Sequence, residues 1–206
     1  MFSRVQVSVY LSLWLAAFFL INVRNVVEGR RLRAGKVTYG EVERSLGLDV
    51  MVAALGTVLF FLEAALYALS GLLDLPFFDS TFLTGGLGYT VQIFGLASMG
   101  LGFSLFIWSV LERGQYSVSW GMTEDHRLIT TGPYTLVRHP SYLGYFLMFT
   151  GFLLTAQIIV ALAPLAAIPG YVSIVRGEEE MLLMRFGDDY VEYVERTDRF
   201  IPKRRG

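Results

Sequence analysis

Uncharged runs alternate with polar connections along the whole chain. Residues 5–23 hold no charged side chain, 50–73 hold only Glu63, and 90–111 hold none. The first run, nineteen residues at 1.5 Å per residue, already matches a hydrocarbon core of roughly 30 Å. The longest run, 141–175, has thirty-five residues. As a single helix it would reach about 52 Å, too long for one crossing. It predicts instead a hairpin, 141–156 and 158–175, turning near Thr155-Ala156-Gln157, with Pro164 and Pro169-Gly170 kinking the returning arm. The pattern therefore predicts an all-α integral membrane protein with five transmembrane helices, forming a single membrane domain over 1–206. No small-x-small cleavage pattern follows the first run, and its basic neighbours come after it. It reads as a permanent span and not a leader.

Within this frame the third run is rich in small residues (Gly95, Ala97, Ser98, Gly100, Gly102), which let membrane helices approach closely. The connection before it carries Phe77, Phe78, Phe82 and Tyr89, suited to an interfacial aromatic belt. Beyond Arg176 the chain turns polar. There Met181, Leu182, Leu183, Phe186, Tyr190 and Tyr193 form an apolar face at helical spacing, predicting an amphipathic helix that leaves the membrane.

Composition agrees: 54% of the 206 residues are hydrophobic and 17% charged, where soluble domains carry about 25%. A net charge of −1 gives no basic surplus for nucleic acid. The absence of cysteine excludes disulfides, thiolate metal sites and a cysteine nucleophile, and two histidines argue against a His-rich metal cluster. The distribution of Lys and Arg says more. Six lie in 24–49 (among them Arg33, Lys36 and Arg44), three in 112–140 and seven from Arg176 on. Five crossings put these three regions on one face and Arg4 alone on the other, so the positive-inside rule assigns that face to the cytoplasm.

Both histidines fall in one polar window, Asp125 to Tyr142, which also holds Arg127, Arg138, Tyr134 and two prolines. A connecting loop must be polar in any case, and Gly132-Pro133 and His139-Pro140 are ordinary turn and helix-start signals. The density of chemically capable residues favours more than a connector. Pro140 in the first turn of the next helix aims free backbone amides at the membrane boundary, where anions bind. Two acidic features stand outside the window. Glu63, in mid-span, faces either a substrate cavity or a neighbouring helix as a protonated carboxyl. Glu178-Glu179-Glu180 is either a solvated helix start or a ligand set.

The ordered set Leu128-Ile129-x-x-Gly132-x-Tyr134-x-x-x-Arg138-His139-Pro140-x-Tyr142, then an apolar hairpin, then the Glu cluster and Phe186-Gly187-Asp188-Asp189-Tyr190-x-x-Tyr193, resembles the isoprenylcysteine carboxyl methyltransferase family and its prokaryotic relatives. The resemblance runs from about Leu111 to Pro202. It implies a membrane enzyme that moves a methyl group from S-adenosyl-L-methionine to a lipophilic acceptor. It also implies a cytoplasmic cofactor pocket, built from the loop before the last hairpin (112–142) and the C-terminal amphipathic helix (176–202). Carried over, His126, Arg127, Leu128, Ile129, Tyr134, Arg138, His139, Pro140, Ser141 and Tyr142 would line the cofactor, with Glu178 or Glu180 opposite.

In one place the chain departs from that family's pattern, which sets an arginine four residues before the first Glu of the cluster. Ile174 stands there, and Arg176 lies four before Glu180. Either the register shifts by two, with Arg176 holding the substrate acid and Glu180 the cofactor, or the role of the arginine has changed. Carboxylate specificity is thereby left open. The expected acceptor is a lipid-modified molecule of the isoprenylcysteine type entering from the bilayer of the plasma (inner) membrane. A phospholipid amine or a small thiol is the alternative, and a non-catalytic membrane protein the third reading. Membrane sterol reductases share the Arg-His-Pro-x-Tyr element but are much longer.

Overall fold

The structure, a computed structural model, describes residues 2–32, 37–38, 47–78, 88–116, 122–123 and 126–203. Arg33, Lys36, Arg44, Phe82, Asp125, Arg204 and Arg205 lie outside the described residues. The described part is helical: α1 Arg4–Leu32, α2 Gly47–Leu72, α3 Gly88–Arg113, α4 Pro140–Ala156, α5 Ala167–Phe186 and α6 Asp188–Arg196. A two-residue antiparallel pair, Val37–Thr38 with Met122–Thr123, joins the connection after α1 to the one after α3. Helices are what uncharged runs of this length must form in a bilayer, because no water is present to satisfy free backbone groups.

Among the described residues, four segments are long and apolar enough to cross a membrane: Arg4–Gly29, Gly47–Leu72, Gly88–Tyr116 and Ile159–Phe186. The chain is an integral membrane protein. Its outer surface is greasy where lipid would lie, with Leu13, Leu20, Leu55 and Phe94 all exposed. Inside, Phe18, Phe60, Phe103, Phe106, Phe149 and Phe152 interlock, most of them tilted or edge-on.

The hairpin turns where expected. Gln157 caps α4 in the left-handed region (φ 53°), and its amide donates to the Leu153 carbonyl. The returning arm differs from the expected short helix 158–175. Residues Ile159–Ala166 form a 3-10 segment around Pro164, whose missing N–H is tolerated in this tighter winding. The α-helix that follows does not stop at Val175 but continues to Phe186, so the Glu cluster belongs to a membrane helix and not to a separate amphipathic one. Gly187 (φ 51°) breaks it, and α6 carries the amphipathic remainder.

The tightest seam runs between α3 and α4, where backbone meets backbone. A Cβ on Gly151 would sit 2.5 Å from the Met99 amide, and one on Gly102 would sit 2.6 Å from the Gly144 carbonyl oxygen. Gly95 packs on Thr155 in the same way. Of the small residues in the third run, Gly95 and Gly102 thus serve α4, while Gly100 admits the ring of Tyr10 from α1.

Candidate active site

Where the third helix ends, the chain must be re-aimed into the fourth, and the polar window is built to do this. Gly132 takes φ 57°, and Pro133 starts a 3-10 turn over Gly132–Thr135. A Cβ on Gly132 would collide with the Glu112 carboxylate at 2.6 Å, and that carboxylate accepts a short hydrogen bond from Thr131. Further on, the window pairs with the C-terminal segment. The Arg138 amide donates to the Asp198 carbonyl at 2.8 Å and the His139 amide to the Arg199 carbonyl at 3.1 Å. A small aromatic core of Tyr134, Tyr190 and Tyr193 clamps the window to α6, with the Tyr193 hydroxyl donating to the Tyr134 carbonyl at 2.7 Å.

His139 is the N-cap of α4, followed by Pro140 at N1. Its ring stacks on Tyr142, with centroids 5.9 Å apart and planes 2° apart. Both ring nitrogens meet acids: Nδ1 lies 3.5 Å from Glu178 and Nε2 3.3 Å from Glu179. Burial works against the imidazolium, but the two glutamates outweigh it and the His139 pKa is raised. The Glu178 carboxylate also accepts from the Tyr142 hydroxyl at 2.5 Å. Glu179 is fully engaged elsewhere, accepting from Arg138 Nε at 2.9 Å and from Arg199 Nη2 at 2.6 Å. Arg138 further donates to the carbonyls of Val194 and Thr197. Glu179 therefore ties the window to the C-terminal segment, while Glu178 faces open space.

That space is a cavity of ≈ 460 Å³. One wall is polar, with the window, Glu178, Tyr190 and Tyr193. The other comes from α1, α2 and α3, where Val26, Ala54, Val58, Phe106 and Val110 are interspersed with Asn22, Asn25 and Thr57. Ligand sites usually occupy about 300–1,000 Å³ and mix apolar lining with a few placed polar groups. Burial also raises the pKa values of the Tyr190 and Tyr193 hydroxyls, which stay protonated as donors.

Of the residues expected from the sequence, the cavity gathers His126, Arg127, Leu128, Ile129, Tyr134, Arg138, His139, Ser141, Tyr142 and Glu178. Pro140 is buried beside it without lining it. Arg176 and Glu180 do not join. Both are exposed, on the stripe Val172-Arg176-Glu180-Met184 that faces away from the bundle. The reason is helical phase: Tyr171, Glu178 and Leu182 share the inward face, so Glu178 lines the cavity where the shifted register expects Glu180. Glu63 does not line the cavity either.

The sequence reading passed over other lining residues. Arg113 enters only as one of the basic residues of 112–140, Tyr190 and Tyr193 as packing, Asn22 and Thr57 as part of plain spans, and Asn25 as part of the polar connection after the first span. Asn22 and Asn25 are polar residues on an apolar helix three apart, and hence on one face, a spacing that was there to be used.

Comparisons with known proteins point the same way. The pattern of the phospholipid methyltransferase family matches residues 90–189. The chain is 30% identical to a protein-S-isoprenylcysteine O-methyltransferase B of Arabidopsis thaliana, over 54% of this chain and 59% of the relative. It is 31% identical to the protein-S-isoprenylcysteine O-methyltransferase of Schizosaccharomyces pombe, over 59% of this chain and 54% of the relative. These alignments span little more than half of each relative. A solved structure of the eukaryotic intramembrane Ras methyltransferase, isoprenylcysteine carboxyl methyltransferase, is 25% identical with a TM-score of 0.46, covering 74% of this chain and 51% of that one. The chain is thus akin to the isoprenylcysteine O-methyltransferases, and its residues 90–189 carry the phospholipid methyltransferase pattern within which most of this cavity is built.

Proposed function

We propose that the protein is a membrane methyltransferase that uses S-adenosyl-L-methionine to methylate a lipophilic acceptor, an acid of the isoprenylcysteine type. The observation that carries this reading is a cavity that joins the polar window and Glu178 to apolar side chains of α1, α2 and α3, most of it in the region related to such enzymes.

The residues present fit the cofactor. Glu178 offers carboxylate oxygens to hydroxyl or ammonium donors. The Tyr190 hydroxyl is buried beside Arg138 without a well-formed hydrogen bond, and the faces of Tyr134, Tyr190 and Tyr193 suit a cation. When bound, S-adenosyl-L-methionine would supply a methyl group on a sulfonium whose positive charge is lost on transfer. The chain's own work is to bind, align and exclude water. The stacked pair His139–Tyr142 holds Glu178 in place, and Glu179 with Arg138 and Arg199 closes the window from behind. Alignment of this kind is what a displacement needs, since a carboxylate or thiolate acceptor is already ionised and requires no general base.

We place five crossings in the bilayer. The helix α4 has 17 residues, about 26 Å long, and it lies sheltered against α3 and needs no longer apolar stretch. The pairing of Val37–Thr38 with Met122–Thr123, and of Val137 with Asp198, supports a common side for the three basic regions, which we take as the cytoplasmic face of the plasma (inner) membrane.

The test is calorimetry of purified protein with S-adenosyl-L-methionine, followed by transfer of labelled methyl into lipid extracts, with His139→Ala as control. Saturable binding and a labelled prenyl-type acid ester are expected. Absence of binding overturns the reading. Label in an amine headgroup instead would favour a phospholipid acceptor, the second reading, which the matched family pattern supports.

A further inference from the structure

We propose that Arg113 is the cavity's anion-holding group, a specificity residue for the acid end of the acceptor. The proposal rests on the methyltransferase reading above. Arg138 is consumed by Glu179 and two backbone carbonyls, and His139 lies between two glutamates. Arg127 is exposed to water on the window, and Arg176 lies on the far face of α5. Arg113 differs from all of these. It lines the cavity from the last residue of α3, its Nη2 donates to the Ser141 hydroxyl at 3.2 Å, and its buried Nε has no hydrogen-bond partner among the described residues. No carboxylate lies within 4.0 Å of its guanidinium among the described residues. A guanidinium with five fixed donors, held half-buried by one hydroxyl and left without an acid, is matched to an oxyanion that the protein does not itself provide.

Its position tells which oxyanion. Phe106, Val110 and Arg113 follow one another at spacings of four and three along α3, so they form one stripe on the cavity wall. Two apolar members end in a cation at the polar boundary. A molecule with a greasy body and an acid head fits that stripe end to end. The same guanidinium chemistry would also accept the carboxylate of the cofactor, and the experiment separates the two sources.

The probes are N-acetyl-S-farnesylcysteine and its uncharged carboxamide, whose binding is measured by calorimetry on the parent protein, Arg113→Gln and Arg113→Lys. Charge-assisted hydrogen bonds of this kind correspond to roughly tenfold or more in affinity. The parent is expected to prefer the carboxylate by about that factor. Arg113→Gln should erase the preference without changing carboxamide binding, and Arg113→Lys should keep part of it. A parent that binds both probes equally overturns the proposal, and this arm needs no variant to fold. Titration of S-adenosyl-L-methionine runs in parallel. Loss of cofactor affinity in Arg113→Gln with the acid preference intact assigns the residue to the cofactor and overturns the proposal too. A parent that prefers the acid but binds no cofactor contradicts the methyltransferase reading and leaves the role of Arg113 standing.

Discussion

Glu178 and Glu180 lie about 200° apart around α5, so only one of them can reach a ligand in the bundle. With Glu178 inward, Glu178→Gln is expected to weaken S-adenosyl-L-methionine binding by roughly tenfold to a hundredfold, the range of a charge-assisted hydrogen bond. Calorimetry on this variant beside Glu180→Gln checks the register, and a larger loss at Glu180 would restore the shifted one. His139 gives a second outcome, in pH. Its folded pKa is raised by Glu178 and Glu179 against the pull of burial. Such a group stabilises fully below its unfolded value of about 6.5, and the contribution fades as pH climbs through the raised folded value. The parent should therefore lose its melting-temperature advantage over His139→Gln as the pH goes from about 6 upward. A constant difference between the two would mean that the ring is not charged in the fold.

The window was legible at this scale and the Glu register was not, for a physical reason. Polar residues in an apolar chain announce themselves one by one, and ten of the expected residues do converge on the cavity. The direction of a side chain on a helix depends on where that helix begins and how tightly the preceding turn is wound. The 3-10 segment before Ala167 has three residues per turn, a winding that hydropathy does not encode. Arg113 carried no signal beyond its place among the three basic residues of 112–140.

Among the elements, the α3–α4 seam carries the most rigid demand. Gly151 faces the Met99 backbone at a distance no Cβ could keep, and Gly102 faces Gly144 likewise. Small residues in the third run are legible as an interface, but which partner each one serves is set by the hairpin's rotation. Gly151→Leu is expected to force the helices apart and to cost about 1–3 kcal/mol or more. The measurement is thermal unfolding in detergent. An unchanged melting temperature would show that the seam yields easily. The window hangs from this seam at both ends, since α3 delivers Arg113 and α4 begins at Pro140. Loosening it should also reduce cofactor affinity.

For the molecule as a whole, the long uncharged runs carried the all-helical membrane architecture. They missed the unbroken length of α5, because Arg176 and the glutamates look like an exit from the membrane. In the fold, Glu178 and Glu179 find partners in Tyr142, Arg138, His139 and Arg199, so the helix can continue with them. The lack of native cysteine makes sidedness directly measurable. In cells, an impermeant maleimide should reach Leu73→Cys from outside and should reach Lys203→Cys only after the membrane is opened. Labelling of both from outside would refute the five-crossing arrangement.

The two-walled cavity has a kinetic consequence. If its polar wall draws one reactant from water and its apolar wall draws the other from lipid, the two are counted in different units. The aqueous reactant acts through its molarity, whereas the acceptor acts through its mole fraction in the bilayer. In proteoliposomes, adding inert phospholipid at fixed total acceptor should slow turnover in proportion to surface dilution. Adding buffer at a fixed lipid composition should leave the acceptor dependence unchanged. A rate that followed the bulk acceptor concentration would mean that the apolar wall does not communicate with the membrane.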